Sequence, residues 1–156
     1  MTLLTNSRRP AASRRELRFA SIEEVVPEVR RLAPSHRTTG SWSLGQICRH
    51  LADSFMGSME GFDLRNHRLK RLLFSRQMLH SALTKGIPLN YTVDPRLTPP
   101  GDVSLSDGFE ALEVAIGRYL AHGGPLHAHP LFGAMSRETW DRVHCVHCAH
   151  HLSLVW

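Results

Sequence analysis

Eight residues near the C-terminus, His144-Cys145-Val146-His147-Cys148-Ala149-His150-His151, hold four histidines and two cysteines. Imidazole nitrogens and thiolates are the usual ligands of borderline transition metals, so the stretch suits a metal site. Cys145 and Cys148 also form a CxxC pair, the spacing of redox-active thiols. Eleven histidines in 156 residues leave chance clustering open as well.

The element that carries the stretch narrows these readings. Ser136 can cap a helix that runs to the chain end. At about 100° per residue, Trp140, Val143, His147, His151 and Leu154 fall within an arc of about 80°. That arc is the apolar face and should turn to the core. His147 and His151 sit in its middle, one turn apart, with His144 and His150 on its margins. Two buried imidazoles need partners for their ring nitrogens. A divalent ion supplies one, because i and i+4 imidazoles can converge on a single site; ordinary hydrogen bonds supply another. Cys145 falls off the inward face and Cys148 lies near His144. A CxxC inside a helix lacks the N-terminal dipole that lowers a thiol pKa. No second CxxC exists to complete a four-cysteine zinc site, so both cysteines read as packing residues.

A third ligand must come from another helix, and the second helix offers His50. That helix starts at Ser43, with Gln46 as its capping-box partner. Leu44, Ile47, Cys48, Leu51, Phe55, Met59 and Phe62 form its apolar stripe, and His50 lies at the stripe's edge. Asp53, one turn on, could orient a ligand or stay solvated. His129, in the loop before the last helix, could reach a site mouth or fix its own loop.

Three more helices are expected. The first follows Ser21, with Glu24 as capping partner, and contains Pro27. The third covers roughly Asn66 to Leu83 on the stripe Leu69, Leu72, Leu73, Leu79 and Leu83. The fourth follows Ser106. Residues 84–105, with Pro88, Pro95, Pro99, Pro100 and Gly101, form a long connection. With no strong period-2 alternation, the pattern predicts an all-α antiparallel bundle whose long connection is a crossover.

The chain is long enough for one domain with its own core. Its net charge is +5, but five arginines and one glutamate in residues 1–20 supply most of that. Residues 1–18 therefore read as a basic, disordered arm and residues 19–156 as a single domain. A nearly neutral body disfavours nucleic acid as a partner. Arg8-Arg9 is not followed by an apolar h-region, so an export signal is not expected, and no run suggests a membrane span. Three cysteines do not make a disulfide framework, which leaves the cytosol as the default compartment. No phosphate-binding glycine loop, nucleophile elbow or dinucleotide fingerprint is present.

The segment Ser41-Trp42-Ser43-Leu44-Gly45-Gln46-Ile47-Cys48-Arg49-His50-Leu51-Ala52 resembles the second-helix signature of the DinB-like superfamily, and in particular its DUF1569 branch. Further pieces fit in order: Leu17-Arg18-Phe19, Lys85-Gly86-Ile87-Pro88, His129-Pro130-Leu131-Phe132-Gly133, Trp140 seven residues before His147, and His151-Leu152-Ser153-Leu154. The resemblance implies a DinB-like four-helix bundle holding a divalent metal on three histidines, which fall here on His50, His147 and His151. His144 and His150 match no ligand position. The chain ends slightly early for the family, which would leave the last turn open to fraying. Superfamily relatives include transferases that use low-molecular-weight thiols such as mycothiol and bacillithiol, and maleylpyruvate isomerases; DUF1569 itself implies no defined activity.

Two function classes follow. One is a metal-dependent enzyme, of transferase or hydrolase type, that activates a thiol or water for a small-molecule substrate, a low-molecular-weight thiol among the candidates. The other is a non-catalytic protein with a structural ion, in which His144 or Cys148 could complete the coordination sphere. Imidazole ligands suit zinc, nickel, iron and copper alike; zinc or nickel is the expected ion, with iron or manganese as alternatives. A homodimer is one oligomeric option.

Overall fold

The computed structural model describes residues 13–62, 68–89 and 95–156. Its helices are α1 (Val25–Leu32), α2 (Leu44–Glu60), α3 (Arg68–Lys85), α4 (Leu105–Ala121) and α5 (Arg137–Leu152), with short 3-10 turns at Ile22–Glu24, Ala33–Ser35 and Pro95–Leu97. Among the described residues there are no strands, only isolated bridges such as Thr38–Val155. The all-α expectation therefore holds.

Local chemistry explains the boundaries. The capping box of α2 forms as its spacing predicts: Gln46 N donates to Ser43 Oγ at 3.2 Å, and Ser43 N donates to Gln46 Oε1 at 2.9 Å. Leu44, Ile47, Cys48, Leu51, Phe55 and Met59 are all buried. Phe62 lies beyond the helix, which ends at Glu60 where Gly61 takes φ +100. The first helix opens differently from the expected box. Ser21 makes no side-chain cap bond; Glu24 accepts from Ala20 N, and a 3-10 turn precedes α1. Pro27 thus falls in the first turn of α1, where a missing N–H costs nothing.

Two expected limits move. The fourth helix begins at Leu105, not after Ser106, because Ser104 Oγ accepts from Asp107 N at 3.0 Å. The last helix starts after Ser136 as expected but ends at Leu152. For the third helix, the expected start at Asn66 and the side chains of Leu69, Leu72 and Leu73 lie outside the described residues, while Leu79 and Leu83 are half-buried.

The directions of the helices place the site. Gly45, near the start of α2, meets Ser104 and Gly108 at the start of α4, and Arg118 at the far end of α4 reaches Glu60 at 2.7 Å. These two helices therefore run the same way. Helix α5 runs against α2: its His151 and His147 lie beside His50, while its His144 stacks on Phe55. Residues 95–104 lie across the end of the molecule where α2 begins. Their carbonyls at Leu97 and Pro100 accept from His50 Nδ1 and Gln46 Nε2 at 3.0 and 3.1 Å.

The α2–α4 contact needs two glycines. A Cβ on Gly45 would sit 2.6 Å from the Ser104 carbonyl oxygen, and one on Gly108 would overlap the Gly45 carbonyl. Backbone cannot step aside as a side chain can. Gly108→Ala is expected to destabilise the fold by about 1–3 kcal/mol, despite the better helix propensity of alanine. An unchanged midpoint in urea denaturation would show that the helices separate freely.

Residues 13–18, expected to belong to a disordered arm, are instead packed. Arg15 N donates to Ser153 O at 2.8 Å, the Arg15 guanidinium meets Glu28 at 2.7 Å, and Thr39 Oγ1 donates to Ser13 O at 2.7 Å. Residues 13–18 thus pack along the end of α5. The paired carboxylate and carbonyls make this contact specific, which a count of arginines does not reveal.

Candidate metal centre

His50 sits on α2 and His147 and His151 on α5. His50 is 5% exposed and His151 7%, while His147 is half-buried. The Nε2 atoms of His50 and His151 each lie 3.1 Å from Nε2 of His147. All three ligand atoms lie within 4.8 Å of one another. Neighbouring ligands of a tetrahedral ion at about 2.05 Å stand about 3.3 Å apart, so the spacing suits a single small cation.

Proton bookkeeping points the same way. His50 Nδ1–H donates to Leu97 O, which leaves Nε2 as a lone pair aimed at His147. One hydrogen on His147 Nε2 cannot serve both neighbours, and a hydrogen on His151 Nε2 would oppose it. A shared cation satisfies all three lone pairs at once. Burial pushes the pKa of His147 and His151 well below the ordinary imidazole value, with the neighbouring imidazoles adding to it. Burial also lowers His50, against the opposing Leu97 bond. All three rings are therefore neutral at pH 7, the form that binds metal.

The other candidates lie elsewhere. His144, read on the wheel as marginal, is 1% exposed. Its Nε2–H donates to Ser58 Oγ at 3.2 Å, because the Ser58 hydroxyl proton is given to Phe55 O. Its ring stacks on Phe55 at 4.0 Å and on Trp140 at 5.0 Å. The buried face of α5 is broader than an 80° arc: it takes in Trp140, His144, Cys145, Cys148 and Leu152, with His147 at its edge. Asp53 is half exposed and pairs with Arg49 at 2.9 Å. His129 Nδ1 accepts from Leu131 N and Phe132 N at 3.0 and 3.1 Å, fixing its own loop. His150 Nδ1–H donates to Ile87 O at 3.1 Å.

Cys145 and Cys148 are buried free thiols. Burial raises Cys145 to about 11 and Cys148 well above the usual thiol value, which suits the packing role. Cys145 faces the core rather than away from it because the 3-10 turn and α1 cover that side of α5.

The terminal turn is not frayed. After Leu152 the chain turns and pairs with residues 37–39: Thr39 N donates to Leu154 O at 2.9 Å, and Arg37 and Trp156 exchange two backbone bonds at 3.0 Å. Two contributors escaped the sequence reading. The Leu97 carbonyl has no side-chain signature. Trp42, which stacks on His151 with ring centroids 5.5 Å apart and leans over His50 at 4.9 Å, stands just before the Ser43 cap, a position that packs back onto its helix.

No helix among the described residues is long and apolar enough to cross a membrane. Comparison with curated proteins and with solved structures gives no match. The model of the family described as "Protein of unknown function (DUF1569)" matches residues 11–156, and the chain belongs to that family.

Proposed function

We propose that the protein is a divalent-metal-dependent enzyme of the DinB-like superfamily, in which α2, α3, α4 and α5 form the four-helix bundle, with a crossover connection between α3 and α4. The observation that carries the reading is the convergence of three Nε2 atoms from α2 and α5, with spacings of 3.1 Å to the central one. His50, His147 and His151 hold the ion, zinc or nickel ahead of iron or manganese. Bound on three neutral imidazoles, such an ion keeps its full charge and acidifies a water or a thiol at an open position. The chain's own groups do the rest. Burial keeps the imidazoles unprotonated at neutral pH. The Leu97 carbonyl holds the proton of His50 on Nδ1 and so turns Nε2 inward. The reaction class is transfer or hydrolysis on a small molecule, with a low-molecular-weight thiol as the favoured co-substrate.

The low exposure of His50 and His151 favours a second reading, a structural ion with a closed coordination sphere. Cobalt substitution separates the two. Under the enzyme reading, millimolar low-molecular-weight thiol added to the cobalt protein gives a thiolate-to-metal charge-transfer band. An unchanged spectrum would leave the structural ion or water activation.

A further inference from the structure

We infer that Trp42 is a positioning residue for the histidine cluster: its indole fixes the ring of His151 and, with it, the affinity for the ion. The inference rests on the metal reading above and adds a residue to it.

The three imidazoles are held in different ways. His50 is anchored by a hydrogen bond from Nδ1 to Leu97 O. His147 meets both other rings edge-on, with centroids 5.0 and 4.8 Å away, and those two rings meet each other at 4.7 Å. Among the described residues His151 has no such anchor: its one hydrogen-bond contact there is Nε2 against His147. Its orientation comes instead from ring packing. The Trp42 indole lies parallel to it at 12°, with centroids 5.5 Å apart, and the His150 ring meets it edge-on at 4.8 Å. A hydrogen-bonded outer partner that sets the angle of a ligand ring commonly changes metal affinity 10–100-fold, and a ring held by stacking depends on its stacking partner in the same way.

Trp42 can do this because its own place is fixed from two sides. The following residue, Ser43, is locked to α2 by the capping box. The preceding residues 37–39 are paired with Leu154, Val155 and Trp156, just past His151. Residues 37–43 therefore tie the helix carrying His50 to the end of the helix carrying His151, with the indole facing both rings. The bland reading, Trp42 as core filler, explains its packing against buried neighbours but not the parallel alignment with a ligand ring.

The experiment uses untagged full-length protein, with nickel as the probe, in the wild type, Trp42→Phe and Trp42→Leu. In metal-free protein, the His151 ring protons should show an indole ring-current shift in aromatic NMR spectra, lost in Trp42→Leu. Nickel affinity, by competition with a chelator, should fall 10–100-fold in Trp42→Leu and recover most of the way in Trp42→Phe, with both variants giving wild-type circular dichroism. Nickel should also quench tryptophan emission in the wild type and far less in Trp42→Phe. Wild-type affinity in Trp42→Leu would overturn the role of Trp42 and leave the metal centre standing. A wild type that binds no nickel, zinc, cobalt or iron would overturn the metal reading itself, with or without the ring-current shift. Should Trp42→Leu misfold, Trp42→Met takes its place as the variant without an aromatic ring: a 10–100-fold loss of nickel affinity that Trp42→Phe largely restores supports the inference, and wild-type affinity refutes it.

Discussion

Alanine in place of His50, His147 or His151 is expected to weaken zinc or nickel binding by more than about 100-fold, since even an outer partner of a ligand is worth 10–100-fold. The loss should reach stability too. An ion present at 100 times its dissociation constant stabilises the native state by about 2.7 kcal/mol, and the three variants should lose most of that. His150→Ala removes no ligand, because the His150 ring is spent on the Ile87 carbonyl, so its loss of affinity should be far smaller than that of the other three. His144→Ala separates the two quantities. It should retain the ion yet lose stability, since it empties a fully buried site between Phe55 and Trp140. Metal analysis alongside chemical denaturation reads both. An ion retained in His50→Ala but lost in His144→Ala would mean that the centre had been placed on the wrong side of α5.

Acid should destabilise the metal-free protein well above the pH at which carboxylates protonate. Burial pushes His144 down to about 3 and His129 down to about 4, against about 6.5 for an exposed imidazole. Between those values the unfolded chain binds protons that the folded chain refuses. Stability is therefore complete above about pH 6.5 and is lost as pH falls toward 4 for His129 and 3 for His144. By pH 5 each should have cost about 2 kcal/mol, a large share of a total that is typically 5–15 kcal/mol. The three clustered histidines add in the same direction. Urea titrations from pH 7.5 to 5 in chelator give the slope, and His144→Gln should make it shallower. An identical slope in that variant would mean that His144 is already charged in the folded state.

The residues differ in how well the sequence announces them. His147 and His151 are legible because a four-residue spacing on one helix fixes their relation without knowledge of the fold. His50 is legible only as a candidate: its place at the edge of a stripe says nothing about which helix lies opposite. The Ser43 and Ser136 caps are local hydrogen-bond patterns and were readable. Ser104 was missed because Ser106 offers an equally plausible start, and the close approach of Gly45 and Gly108 that favours the earlier one is a tertiary contact. His144 was misjudged because a wheel centred on the apolar residues ignores polar ones. Its ring is buried by aromatic stacking and one hydroxyl, neither of which has a sequence signal. The packing of residues 13–18 depends on carbonyls more than a hundred positions away.

That remoteness bears on how the histidine cluster assembles. His50 and His147 are 97 residues apart, the Thr39–Leu154 contact spans 115, and the Arg15–Leu152 contact spans 137. Local helices form within about a microsecond, but contacts this distant must first meet the entropy of closing a long loop. Chains rich in such contacts fold slowly. The pairing of residues 37–39 with 154–156 joins the segment ahead of α2 to the end of α5, so the cluster is complete only once these distant parts of the chain have met. Uptake of a coloured ion such as cobalt during refolding would then time the closing of the ends, not the growth of the helices.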